Sequence, residues 1–147
     1  MGLGLCLVLG AKPAGAENWF ALDAPGTPSV PGVPGVPGAV GEAAIEVDMD
    51  LFRLVGGRRE VPIRVTWPEA RVHASGVSFR SVVAMAELEC VFKTPTLRDT
   101  SFYAGMRGQG KLLLVRSGSF DTPTEHIGDL LSVKTLELLE RAACTRP

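Results

Sequence analysis

The sequence predicts an α+β domain: an antiparallel β-sheet with a C-terminal α-helix packed on one face and tethered by a disulfide. Three observations carry the prediction. Apolar and polar residues alternate with period two on both sides of Gly56-Gly57, the mark of strands with one buried face. The period lengthens toward 3.6 over residues 129–144, which marks an amphipathic helix. Cys90 and Cys144 close a strand-like run and the helical run. The 147 residues suffice for one domain, and 46% hydrophobic with 21% charged residues is the balance of a folded chain. Aromatics make up only 6%, so Val, Leu, Ile and Ala must build the core.

Residues 1–16 read as a secretory signal peptide. MGLGLCLVLGA is apolar but too short to span a bilayer, and Ala14-Gly15-Ala16 has the small-residue pattern of a cleavage site. The usual positive n-region is missing, which a start site further upstream accounts for. Cys6 is preceded by Leu5 with almost no apolar run before it, so a lipoprotein anchor is rejected. Cleavage removes Cys6 and leaves Cys90 and Cys144, two cysteines with one pairing. In an exported chain that pair reads as a disulfide. Its loop of about 54 residues contributes about 4 kcal/mol on chain-entropy arithmetic. No integral membrane segment is expected after cleavage.

The single domain spans 17–147. Trp19 and Phe20 suit a short first strand. A Pro/Gly-rich insert at about 25–41 follows, with three Val-Pro-Gly units. Pro lacks the amide proton of a central strand and Pro-Gly favours turns, so the insert is expected to be an extended spacer. Ile45, Val47, Met49 and Leu51 then alternate with Glu46, Asp48 and Asp50; Val61, Ile63, Val65 and Trp67 alternate with Pro62, Arg64 and Thr66. With Gly56-Gly57 between them these runs predict a β-hairpin. Pro62 places its strand at an edge or its amide outward. Val82, Ala84, Ala86, Leu88 and Cys90 share one side of a third long strand. Phe102-Tyr103 and 111–115 are two short strands joined by GMRGQG, expected to be a flexible hairpin loop. Ser132 is the expected N-cap of the terminal helix.

This order of features resembles the surface-adhesin protein E family of exported bacterial domains. The residues that carry the likeness are Trp19, Asp48 before a Gly-Gly turn, and the strand ending at Trp67. Phe79-Arg80-Ser81 before a strand ending in Cys90, Phe102-Tyr103, and a terminal helix ending in Ala143-Cys144 complete it. The likeness covers roughly residues 19–144. It implies an antiparallel sheet with the helix tethered across one face, and adhesion to host extracellular-matrix or serum proteins. The Val-Pro-Gly insert departs from the pattern.

Chemistry is sparse. His73 and His126 lack a second ligand at metal spacing and read as solvated surface residues, so no metal or cofactor is expected. Ser75 and Ser78 lie near His73 without a nucleophile elbow around either. Glu46, Asp48 and Asp50 read as a solvated strand face, and Arg80 as one half of a structural ion pair. Arg53, Arg58, Arg59 and Arg64 are the candidate binding surface, suited to an acidic protein or a sulfated glycan. The net charge of -1 speaks against nucleic acid and against an anionic membrane surface. The expectation is a non-catalytic binding module in the periplasm or at the cell surface. Its partner is a host matrix or serum protein, or alternatively another envelope protein. A small periplasmic hydrolase, or an inhibitor of one, would need a cleft uniting a histidine, an acid and a nucleophile. Open sheet edges also allow a homodimer.

Overall fold

The computed structural model describes residues 18–22, 43–91, 94–118, 125 and 127–145. The expected signal peptide, the Pro/Gly-rich insert and His126 lie outside the described residues. The elements are β1 (Trp19–Ala21), β2 (Ala44–Asp48), β3 (Arg53–Val55), β4 (Arg58–Val72), β5 (Ser78–Glu89), β6 (Thr94–Tyr103), β7 (Leu112–Arg116), α1 (Ile127–Leu130) and α2 (Val133–Cys144). The seven strands form one antiparallel sheet in the order β1-β2-β4-β5-β6-β7, with β3 also paired to β4. No helix among the described residues is long and apolar enough to cross a membrane.

The expected hairpin is present, in two parts. Gly56 and Gly57 take φ values of 56° and 82°, the left-handed pair a two-residue hairpin turn needs and glycine supplies without strain. β4 then pairs first with β3 (Val55↔Arg58 to Arg53↔Glu60) and next with β2 (Val47↔Ile63 to Ala44↔Thr66). Pro62 falls between these two partners. Its strand is central, which excludes the edge alternative, and Pro62 falls where the ladder on the β2/β3 side is already interrupted.

One face of the sheet is apolar. Val47, Ile63, Val65, Val82, Ala84, Ala86, Leu88, Leu97 and Phe102 are all at most 3% exposed. Leu130, Leu131, Leu139 and Ala143 complete the same core cluster. The 129–144 run is divided: α1 ends at Leu130, and Ser132 stands extended (φ -68°, ψ 158°) as the N-cap of α2, accepting a hydrogen bond from Thr135 N. β6 is longer than its expected Phe102-Tyr103 core, and a bulge near its middle breaks the alternation that would have shown its full length. Val83 faces Ser101 but Met85 faces Arg98, with Asp99 in the left-handed region at φ 52°.

The Cys90–Cys144 disulfide is formed, with Cα atoms 5.6 Å apart, and ties the end of β5 to the end of α2. Replacing both cysteines by serine is expected to cost about 4 kcal/mol of unfolding free energy. Denaturant titration of the oxidised protein beside the double variant measures it; equal midpoints would contradict a stabilising tether.

Candidate functional site

The second face of the sheet is built from buried charge. Register places Glu46 opposite Arg64, Thr66 opposite Ser81 and Glu60 opposite Glu87. Arg64 donates through Nε and Nη2 to the two carboxylate oxygens of Glu46 at 2.8 and 2.9 Å, a bidentate pair. Arg107 adds a third contact at 2.8 Å, and the Trp19 ring lies 4.4 Å from the Arg64 guanidinium. The solvated strand face expected at Glu46 and Asp48 is thus corrected, since these residues are only 4% and 2% exposed. Alternation reports which residues share a face; it does not report that the second face is covered.

The cover includes the β6–β7 loop, which is pinned where flexibility was expected. Arg107 N donates to Thr66 Oγ1 at 3.2 Å, Gly108 N to Ser81 Oγ at 2.8 Å, and Ser81 Oγ to Gly105 O. Arg107 holds a left-handed φ of 56°. A Cβ at Gly108 would come within 2.8 Å of the Val83 side chain, so only glycine lets the loop lie this close to the sheet. Further along this face, Arg98 Nη1 bridges the facing carboxylates Glu60 and Glu87 at 3.5 and 2.9 Å.

The four predicted arginines separate. Arg64 is 7% exposed and committed to Glu46. Arg53, Arg58 and Arg59 stay together on β3 and β4 around the Gly56-Gly57 turn, with Arg59 over the Phe52 ring at 5.7 Å. Arg80 pairs with no carboxylate among the described residues. It donates instead to the carbonyls of Trp67 and Pro68, which sit where the β4–β5 register shifts. A bulge leaves carbonyls without ladder partners, and a guanidinium satisfies them.

His73 is likewise no solvated residue. It ends an edge-to-face series of rings: Trp67 on Phe79 at 5.4 Å, Phe79 on Phe102 at 4.9 Å, and His73 on Phe102 at 4.9 Å. The β4–β5 turn closes through Gly76 N to His73 O at 2.8 Å, with Gly76 at φ 87°. That turn brings Ser75 Oγ to 2.8 Å and Ser75 N to 3.0 Å from His73 Nδ1. Glu125, which bridges to Leu97 on β6, lies 3.1 Å from His73 Nε2 and also meets Arg116 at 3.1 Å. The His73 and Glu125 side chains are 9% and 12% exposed. They border a cleft of about 320 Å³ that Arg71, Phe79 and Asp129 also line. Ser75 was visible beside His73 in sequence. Glu125 was not, because 52 positions separate it from the histidine and no motif marks it.

No protein-family model matches the chain, and no curated protein does. Among solved structures it is similar to the crystal structure of protein E from non-typeable Haemophilus influenzae, at 17% sequence identity and a TM-score of 0.38. The match covers 86% of this chain and 98% of that one. This is a weak resemblance of fold.

Glu46→Gln leaves Arg64 charged and buried without its counter-ion, and is expected to destabilise the fold by about 3–5 kcal/mol. Arg107→Ala, whose side chain is 43% exposed, should cost about 1 kcal/mol or less. Urea titrations of the two variants check the ordering; a larger loss for Arg107→Ala would contradict it.

Proposed function

We propose that this chain is an exported binding module of the bacterial envelope, acting without catalysis on a protein partner, with the β3–β4 turn as its contact surface. One observation carries the reading. Exposed apolar side chains stand beside arginines on both faces of this hairpin: Val55, 48% exposed, with Arg53 and Arg58 on one face, and Leu54, 66% exposed, with Arg59 on the other. Large apolar side chains grouped at a surface mark interaction sites, and arginine is enriched in interfaces because it joins an apolar stem to a fixed fork of donors. The turn is closed by three cross-strand pairs between β3 and β4, which lessens the ordering that binding requires. A partner surface that combines acidic groups with an apolar centre fits it. Export is supported by the Cys90–Cys144 disulfide, which an oxidising compartment favours. Adhesion to a host matrix or serum protein from the cell surface is the sharper form of the proposal. Recognition of another envelope protein from the periplasm is its alternative.

Solid-phase binding to a panel of extracellular-matrix and serum proteins tests the proposal, comparing the wild type with Arg53→Glu/Arg58→Glu/Arg59→Glu. Retention by the wild type, weakened about tenfold or more in the triple variant and by added salt, is the expected result. Equal retention of the two proteins would remove this turn as the contact surface, and retention by no panel member would remove the adhesion form.

A further inference from the structure

We propose that Ser75 is a primed nucleophile, a site at which the protein accepts an acyl group from an activated ester, with His73 as the base and Glu125 as the group that orients the base. Ser75 N–H donates to His73 Nδ1 at 3.0 Å. A nitrogen that accepts from a backbone amide carries a lone pair, so the ring proton resides on Nε2. There it points at Glu125 Oε1, 3.1 Å away. Because Nδ1 is the acceptor, the 2.8 Å contact between it and Ser75 Oγ has the hydroxyl as donor. Hydroxyl, imidazole and carboxylate thus form one directed chain. Arg116 Nη1 lies 3.1 Å from the same carboxylate oxygen and helps fix its position.

This is the relation of roles that activates a serine: a base on the hydroxyl and a third group fixing the tautomer of the base. The ring is also held in place by the edge of Phe102 at 4.9 Å. Ser75 itself is exposed, so an electrophile can approach. In the step, Ser75 Oγ bonds to the carbonyl carbon while its proton passes to Nδ1. The bond from that carbon to the leaving oxygen then breaks, its electron pair staying with the oxygen, which takes the proton back from Nδ1. The products are acyl-Ser75 and the free alcohol, with nothing oxidised or reduced. While Nδ1 holds the proton, Ser75 N–H loses its acceptor and becomes available to the oxygen that gains charge. Ser78 supplies an internal comparison: it is exposed at the start of β5, on the same hairpin, but paired with Val72 and, among the described residues, without a hydrogen bond to a histidine.

The oxidised protein is treated with p-nitrophenyl acetate, and acetyl groups are located by peptide mass mapping over time. Acetylation of Ser75 at least about tenfold faster than of Ser78 is expected. The same difference should disappear in His73→Gln and shrink in Glu125→Gln, with circular dichroism confirming the fold of each. Should His73→Gln fail to fold, the wild-type ratio of Ser75 to Ser78 and the absence of that acetyl in Ser75→Ala decide alone. Equal rates at the two serines, or acetyl groups confined to lysines, would overturn the proposal and leave His73 as a clasp between the β4–β5 turn and Glu125.

Discussion

Glu46 carries its carboxylate into a face of the sheet where 4% of the residue meets solvent, and the rest of the architecture is arranged around that cost. A single helical segment can cover one face of a seven-stranded sheet, and here it completes the apolar side. The opposite face must then be open or covered by something else. Arg64 neutralises Glu46 with a bidentate contact, Arg107 arrives from the β6–β7 loop, and Trp19 lies over the guanidinium. Each of these requires a particular register: β1 on β2 to place Trp19, β2 on β4 to set Glu46 against Arg64, and β5 to hold the loop through Ser81. A one-residue slip of β2 would turn Glu46 into the apolar core. The buried pair adds little net stability over an apolar pair of similar shape; what it opposes is the wrong register.

A different device joins the core to the chain beyond β7. The rings of Trp67, Phe79 and Phe102 run edge to face toward His73, and His73 reaches Glu125. Glu125 bridges to Leu97 of β6 and lies just before α1, whose Leu130 belongs to the core. The helical segment is therefore held at both ends, by this polar contact before α1 and by the Cys90–Cys144 bond at the end of α2. Between them Leu130, Leu131, Leu139 and Ala143 are buried, with Ile127 and Leu136 partly buried against the same core.

How much of this was legible in the sequence depended on whether one period described each segment. β2, β4 and β5 follow period two, and their apolar faces were readable; so was Ser132, whose side chain caps a helix of twelve residues. β6 was not. Leu97 and Phe102 both face the core but stand an odd number of positions apart. Strict alternation would put them on opposite faces, and only the bulge at Asp99 reconciles them. Burial of Glu46 and Asp48 was hidden for another reason: a polar face looks the same in sequence whether water or a loop covers it. Glycines in GMRGQG signalled mobility, yet at Gly108 the absent side chain is what permits close packing on Val83.

The candidate site divides along the same line. Arg53, Arg58 and Arg59 stay near one another because a hairpin turn keeps neighbours in sequence together in space, but the register sets Arg59 on the opposite face from Arg53 and Arg58. Arg64 looked like a fourth member, but its strand continues into the sheet, where a charge must find a counter-ion or leave. The His73 cluster shows the converse. Its local half, Ser75 beside His73, is set by a turn and could be seen in sequence; its distant half, Glu125, arrives through the fold. The Ser75 N–H meets Nδ1 of His73 from within the turn, and Glu125 adds the remote partner at Nε2. Glu125 lies in the chain between β7 and α1 and bridges to Leu97 of β6.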